Sequence, residues 1–505
     1  MTSITNTTIT IIPEPVELKK INGHFEITKE TMLFVGEKLK KVEEYLQQLV
    51  QPSFSWRIPV STKRVKTNYI DLLICEEGYV LSSTKDGIRI EGNTPKGVFY
   101  GIQTLRQLLP MEIEEKSQIQ NIEWVIPRVT IKDYPRFEWR GFMLDEARYF
   151  MGTEVVKKYL DLMALQKLNK FHWHLVDDQG WRIEIEKYPK LTKVGSKREL
   201  KQKRGEIANT ENPNIYGRFY KKSEIQEIIQ YAKDRFIEII PEIEMPGHSS
   251  AALAAYPELS CTGGPFEVPT RWGIFADTYC PGNDEVYEFL KNVLDEVIEL
   301  FPFKIIHIGG DEVPKIRWRS CSKCKEKMKK ENISKIKDLQ VLLTNFFATY
   351  LKSKGRRLMG WNQILDENLV NNAISQYWLG KQRETISHIK QGRDTVITKY
   401  LWTYLDHPYK ILSLKKAYRF EPIFSKLGEK HHSHIIGIEA PLWTERIPNE
   451  ERLDWQAFPR LIAYAEIGWT PKDKKDYKSF RNRLEAFLKR LDILGINYAT
   501  MKEAE

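Results

Sequence analysis

Cysteine is scarce in this chain: Cys75, Cys261, Cys280, Cys321 and Cys324 are the five among 505 residues. So few exclude a disulfide scaffold, and an odd count in a long chain fits a reducing compartment. Long apolar runs are missing too. No stretch of about eighteen consecutive apolar residues occurs, the length a membrane-spanning helix requires. The opening Met1-Thr2-Ser3-Ile4-Thr5-Asn6 has no basic segment followed by an apolar one, so no secretory signal is read and a cytoplasmic location is expected. Internal repeats and low-complexity tracts are absent as well. What remains is an ordinary folded chain, long enough for two to four domains or for one large barrel with an attached module.

Charge is the first positive feature. Lys and Arg number 78 against 68 Asp and Glu, a formal net charge of +10, and such an excess raises nucleic acid or an anionic surface as partners. The basic segments 197–204 and 323–330 nevertheless lack the interleaved aromatic residues that stack bases. They read as solvated helix or loop faces, and no nucleic-acid partner is expected. Tryptophan is plentiful, with thirteen residues, and their position decides whether they form core or surface.

Two kinds of sequence grammar divide the chain. Residues 1–135 read as a small α+β domain, with β-rich runs at 9–12, 71–75, 79–83 and 88–91 and helical spacing over 37–50 and 95–109. From Arg136 onward, strand and helix patterns alternate, as a parallel sheet demands. Candidate strands lie at 141–144, 170–175, 236–243, 304–308, 357–360, 373–377, 395–398 and 435–439, and 477–493 reads as a closing amphipathic helix. Eight strands with intervening helices predict a TIM (β/α)8 barrel over 136–505. A doubly wound sheet is the alternative.

A barrel of this type carries its working residues at the C-terminal strand ends. Those ends hold Asp145-Glu146-Ala147-Arg148, Asp177-Asp178, Glu242 with Glu244, Asp311-Glu312, Trp361-Asn362, Trp378, Tyr404 with Asp406, and Trp443 with Glu445. Any one of these acids is equally well explained by solvation or by a lysine partner. Together, at one end of a barrel, carboxylates and flat aromatic rings make a mouth suited to sugar, whose hydroxyls take charge-assisted hydrogen bonds and whose ring faces stack on tryptophan. The sharpest feature is His307-Ile308-Gly309-Gly310-Asp311-Glu312. Two adjacent carboxyls interact so that one ionised acid raises the pKa of the other, which can then act as a general acid.

A competing pattern is Phe171-His172-Trp173-His174, since two histidines so placed on a strand bind zinc in some barrel metallohydrolases. No further obvious set of histidine ligands follows, although His248 and His307 keep that reading open. Cys321-x-x-Cys324 has no close second pair and no histidine after it, so a structural or incidental role is read there. No metal and no other cofactor is expected. A carbohydrate-binding barrel without catalysis is a further alternative, and the retained acid pair speaks against it.

Taken together, Arg140-Gly141-Phe142-Met143-Leu144-Asp145-Glu146-Ala147-Arg148, His172-Trp173-His174-Leu175-Val176-Asp177-Asp178-Gln179-Gly180-Trp181, Glu244-Met245-Pro246-Gly247-His248, Gly309-Gly310-Asp311-Glu312 and Trp443-Thr444-Glu445 resemble the β-N-acetylhexosaminidases of glycoside hydrolase family 20. Residues 94–105 are similar to the end of the small domain that precedes the barrel in many members. The resemblance implies an exo-acting enzyme that releases terminal N-acetylglucosamine, and N-acetylgalactosamine, with retention and with the substrate's own acetamido oxygen as nucleophile. By the family pattern Glu312 is the acid and base, Asp311 holds the acetamido N–H and Tyr404 its oxygen. Trp361, Trp378 and Trp443 wall the pocket. Arg148, Asp177 and Glu445 hold the outer hydroxyls, Asp406 contacts the sugar, and His248 supports the acid region. The first motif departs from the pattern at Glu146, where a small or hydroxyl residue is expected.

Overall fold

A seven-stranded mixed sheet forms the N-terminal part of the computed structural model, which describes residues 9–75, 78–115, 117, 119, 121–199 and 215–505. Its strands run in the order Glu17–Glu26, Val125–Asp133, Tyr79–Ser83, Gly87–Gly92, Tyr69–Ile74, Met32–Val35 and Val60–Ser61. Neighbours are antiparallel as far as Gly87–Gly92 and parallel beyond it. The expected strand at 9–12 does not form. Ile12 instead exchanges both backbone groups with the Gln107 side chain at 2.9 and 2.7 Å, and Arg483 donates to the Ile11 carbonyl at 2.8 Å. Side chains satisfy this segment, so it has no ladder to join. Conversely, Glu17–Glu26 forms a strand although nearly all of it is exposed, because an edge strand needs backbone pairing more than an apolar face.

Helix Pro95–Leu108 joins the sheet to the rest of the chain. Thr94 caps it by accepting from Gly97 N at 3.2 Å, and proline occupies its first turn, where no N–H is needed. Every residue from Gly97 to Leu108 is buried. One hydrophobic core runs through this helix from the sheet into the barrel, and each large apolar side chain buried there contributes about 1.5–3 kcal/mol. The junction also holds a fully buried ion pair. Lys167 Nζ lies 3.0 Å from Asp133 Oδ2, while Trp469 Nε1 donates to Asp133 Oδ1 at 2.9 Å.

The rest is a TIM (β/α)8 barrel. Its strands, in order, are Trp139–Asp145, Lys170–His174, Glu238–Glu242, Ile305–His307, Arg357–Trp361, Ile374–Tyr377, Thr395–Ile397 and Ile435–Leu442, and the eighth pairs with the first to close it. All eight expected strands are present, and helix Tyr477–Ile493 packs at the end with Asp476 as its cap. Among the described residues no helix is long and apolar enough to cross a membrane. The basic segment 323–330 lies in helix Ser322–Lys330, where Cys324 is the one buried residue. Residues 200–204 of the other basic segment, and Met1 to Asn6, lie outside the described residues. The Cys321-x-x-Cys324 pair is not isolated in space, because Cys261 and Cys280 fold onto it.

Candidate active site

Strand register creates the floor of the site. Glu242 stands beside His174 on the second strand and His307 on the fourth, and Asp145 also faces His174. Alternation sends His172 and His174 to the same side, and both enter a buried network. His172 Nδ1 lies 2.8 Å from Glu439 and its Nε2 3.1 Å from Glu242. His174 pairs with Glu242 through Nδ1 and with Asp177 through Nε2 at 2.8 Å. His307 Nδ1 and Trp361 Nε1 both meet Glu242 Oε1 at 2.8 Å.

Burial alone would raise the Glu242 carboxyl, but His307, His174 and His172 hold it well below the usual range. The reverse holds for His172 and His174, whereas burial keeps His307 below its ordinary pKa. Burial opposes their charge, yet Glu439 and Glu242 lift His172 to about 9, and Glu242 and Asp177 lift His174 to about 10. His172 and His174, each set between two carboxylates, form a charged floor under the mouth; their ligating atoms also group as His172 with Glu242 and His307, and as His174 with Asp177 and Glu244.

The fourth strand ends in Gly309-Gly310, both at positive φ, +63° and +89°. A Cβ on Gly309 would fall inside the Glu244 carboxylate, so only glycine lets the chain turn here. The turn delivers Asp311 inward, with 8% of the residue exposed, and Glu312 outward, with 32% of its side chain exposed. Burial pushes the Asp311 carboxyl up to about 7; His248 opposes this, and Glu242 and Glu312 add to it. Asp311 Oδ1 is buried and has no protein hydrogen-bond partner among the described residues.

His248, after the third strand, faces the acid pair. Its Nε2 lies 3.6 Å from Glu312 Oε2 and 3.8 Å from Asp311 Oδ2, while Nδ1 is 2.9 Å from Asp178 Oδ2. Burial works against a charge there, but Asp177 and Asp178 hold the imidazole well above its ordinary pKa.

Four rings close a box beside the acids. Centroids are 6.5 Å apart for Trp361 and Trp378, 6.2 Å for Trp378 and Tyr404, 6.3 Å for Tyr404 and Trp443, and 5.8 Å for Trp443 and Trp361. The Trp378 indole N–H is buried with no protein partner among the described residues. Burial, followed by the charges of Asp311 and Asp406, raises the Tyr404 phenol well above its usual pKa, so it stays a neutral donor. Asp406 is pushed up to about 7 by burial and by Glu445.

Arg148 closes the other side. It sits 5.0 Å from the Trp443 ring centroid, donates to Gln179 Oε1 at 2.8 Å, and pairs with Asp145 at 3.3 Å and Asp177 at 2.7 Å. Three of its five N–H groups are thus engaged, leaving two for a ligand. Asp177, expected among the residues that hold the outer hydroxyls, lies at the centre of a cluster of donors. It is 1% exposed, with Oδ2 on Arg148 and His174 and Oδ1 on Asp178 N and 3.4 Å from His248. These contacts fix Arg148 and His248 in place around the Asp177 carboxylate. Glu445 remains beside Arg148, half-buried, its carboxyl raised by burial against the guanidinium. Glu146 turns away into the core, where its carboxylate accepts from Met151 N at 2.7 Å, and burial lifts it to about 8.

Sequence reasoning missed two residues, and left the part played by a third open. Gln363 receives the Glu312 N–H at 2.8 Å, Glu439 anchors His172, and Glu242 is the hub of the floor. Each sits on or just beyond a strand in the expected set, so strand-end position was the signal available.

The sequence profile of glycosyl hydrolase family 20, catalytic domain, matches residues 137–472, and that of the family's domain 2 matches residues 8–134. A β-hexosaminidase of Porphyromonas gingivalis is 40% identical over 511 aligned residues, which cover 97% of this chain and 64% of that protein. The chain thus spans under two thirds of that relative's length. An exo-β-N-acetylglucosaminidase of Vibrio harveyi, solved with N-acetylglucosamine, superposes with a TM-score of 0.87 at 30% identity, over 98% of this chain and 78% of that one. A β-N-acetylhexosaminidase of Bacteroides fragilis does so with a TM-score of 0.86 at 30% identity, over 98% of both chains. Barrel, small sheet domain and site motifs all fall within these matches, and the chain belongs to glycosyl hydrolase family 20.

Proposed function

We propose that this protein is an exo-β-N-acetylhexosaminidase, which removes terminal non-reducing N-acetylglucosamine or N-acetylgalactosamine from oligosaccharides or glycoconjugates with retention. The observation that carries the reading is the juxtaposition of Asp311-Glu312 with the four-ring box. The box has the size and apolarity for an acetamido methyl, and Asp311 and Tyr404 lie where its N–H and carbonyl would be held.

The chemistry follows from those positions. Glu312 protonates the leaving oxygen as the acetamido carbonyl oxygen attacks the anomeric carbon, which breaks the glycosidic bond and closes an oxazolinium ring. Ionised Asp311 accepts the acetamido N–H and offsets the positive charge that develops on the ring. Glu312, now a base, takes a proton from the water that reopens the ring, and β-configured sugar leaves. The protein supplies no nucleophile. Arg148, Asp177 and Glu445 bind the outer hydroxyls of the terminal sugar, and Asp406 contacts the sugar from beyond the seventh strand.

Hydrolysis of an aryl N-acetyl-β-glucosaminide by the pure protein tests the proposal. Turnover with initial release of the β anomer is expected. A folded protein that leaves this substrate intact sinks the reading.

A further inference from the structure

Four of the five cysteines converge far from one another in sequence. Cys261 follows the short helix Pro257–Leu259, Cys280 precedes helix Asp284–Leu300, and Cys321 and Cys324 begin helix Ser322–Lys330. Their sulfurs all lie within 4.8 Å of one another, and three pairs are resolved more finely: Cys280 and Cys324 at 3.6 Å, Cys280 and Cys321 at 3.7 Å, Cys261 and Cys324 at 3.9 Å. Disulfides need about 2.0 Å between sulfurs. Four thiolates at the vertices of a tetrahedron around zinc, each about 2.3 Å from the metal, stand about 3.8 Å apart. The observed spacing is that of the tetrahedron.

The surroundings are built for this. A Cβ on Gly282 would overlap the backbone of Lys323 and Cys324, so the Cys280-Pro281-Gly282 turn can press against the Cys321–Cys324 turn only because residue 282 is glycine. Cys280 N donates to the Leu259 carbonyl at 2.9 Å, and Ser260 bridges Tyr279, which fixes Cys261 and Cys280 side by side. Cys280 and Cys324 are wholly buried and Cys321 is 9% exposed. Helix Ser322–Lys330 carries five lysines, and their charge opposes the two net negative charges of a zinc tetrathiolate. The helix N-terminus favours thiolate as well.

The geometry points to a structural zinc site formed by Cys261, Cys280, Cys321 and Cys324. It ties the segment after the third barrel strand, which carries His248, to the segment after the fourth, which carries Asp311 and Glu312. Zinc held by four thiolates has no open coordination position. The site does not depend on the glycosidase reading, and its test uses no activity assay.

The full-length protein, produced with zinc chloride in the medium and dialysed without chelator, is analysed for metals and titrated with a mercurial thiol reagent. One zinc per chain, released in step with the masking of four thiols, is expected. Cobalt in place of zinc should give the intense visible absorption of a tetrahedral thiolate complex. A Cys321→Ser, Cys324→Ser variant should lose the metal, and if it fails to fold, the wild-type titration decides alone. Four thiols that react freely without metal release, disulfides detected by mass spectrometry, or iron at one per chain in place of zinc would overturn the assignment.

Discussion

His248 Nε2 lies 3.6 Å from the Glu312 carboxylate. Asp178 grips the other nitrogen at 2.9 Å and Asp177 is close by, so the imidazole is held charged and correctly turned. This arrangement sets His248 against Glu312 as a positioning residue. At 3.6 Å the contact is an ion pair and not a hydrogen bond, and a partly exposed pair worth on the order of 1–2 kcal/mol amounts to about 5–30-fold in rate. His248→Gln is therefore expected to lower kcat by that factor and leave KM nearly unchanged. Steady-state kinetics check it; a change confined to KM would place His248 on the substrate.

Glu312 is assigned the proton transfers, and leaving-group dependence exposes that role. Glu312→Gln should lose about 10²–10⁴-fold on substrates with an alkoxide or sugar leaving group. Its first step should be nearly intact with a dinitrophenyl leaving group, which departs without protonation. Pre-steady-state release of the phenol separates the two steps, and equal losses for both substrate classes would contradict the role.

Asp311 links pH, activity and stability. Its carboxyl, lifted to about 7 by burial, must be ionised to serve the acetamido N–H. In the free enzyme kcat/KM should thus fall as pH drops through about 7, and Asp311→Asn should abolish this limb along with most activity. The linkage has the opposite sign for folding. A carboxyl with a raised folded pKa contributes stability below its unfolded value near 4, and that contribution is lost as pH rises through about 7. Asp311→Asn is expected to stabilise the protein by about 1–2 kcal/mol at pH 8 and by less at pH 5. Denaturant unfolding at both pH values reads this directly.

Gly309 tests the backbone. Gly309→Ala would drive a methyl group into the Glu244 carboxylate at a φ of +63°. The turn must then shift, moving Asp311 and Glu312 together. An activity loss of at least 10²-fold is expected, with a destabilisation of about 2–4 kcal/mol. Unchanged kinetics would show that the turn is not what places the acids.

Much of this was legible in the sequence, for a physical reason. Parallel barrel strands are buried on both faces, so runs such as Ile305–His307 and Ile435–Leu442 stand out as apolar, and their C-terminal ends mark where chemistry gathers. Edge strands obey no such rule, which is why Glu17–Glu26 went unseen and 9–12 was misread. The roles of individual acids were less legible. Asp177 and Glu445 look alike in sequence, and only the fold reveals the crowd of donors, Arg148, His174 and His248 among them, around Asp177. The cysteines were hidden by distance along the chain, since nothing in the spacing of Cys261 and Cys280 points to Cys321 and Cys324.

The central claim is that the substrate's own acetamido oxygen is the nucleophile. Aryl β-glucosaminides carrying N-acetyl, N-fluoroacetyl, N-difluoroacetyl and N-trifluoroacetyl groups measure it most directly, because each fluorine withdraws electrons from that oxygen. The account predicts a steep, progressive fall in kcat/KM across the series, and no hydrolysis of the corresponding β-glucoside. Rates indifferent to fluorine, or a β-glucoside cleaved as fast as the N-acetyl substrate, would contradict it.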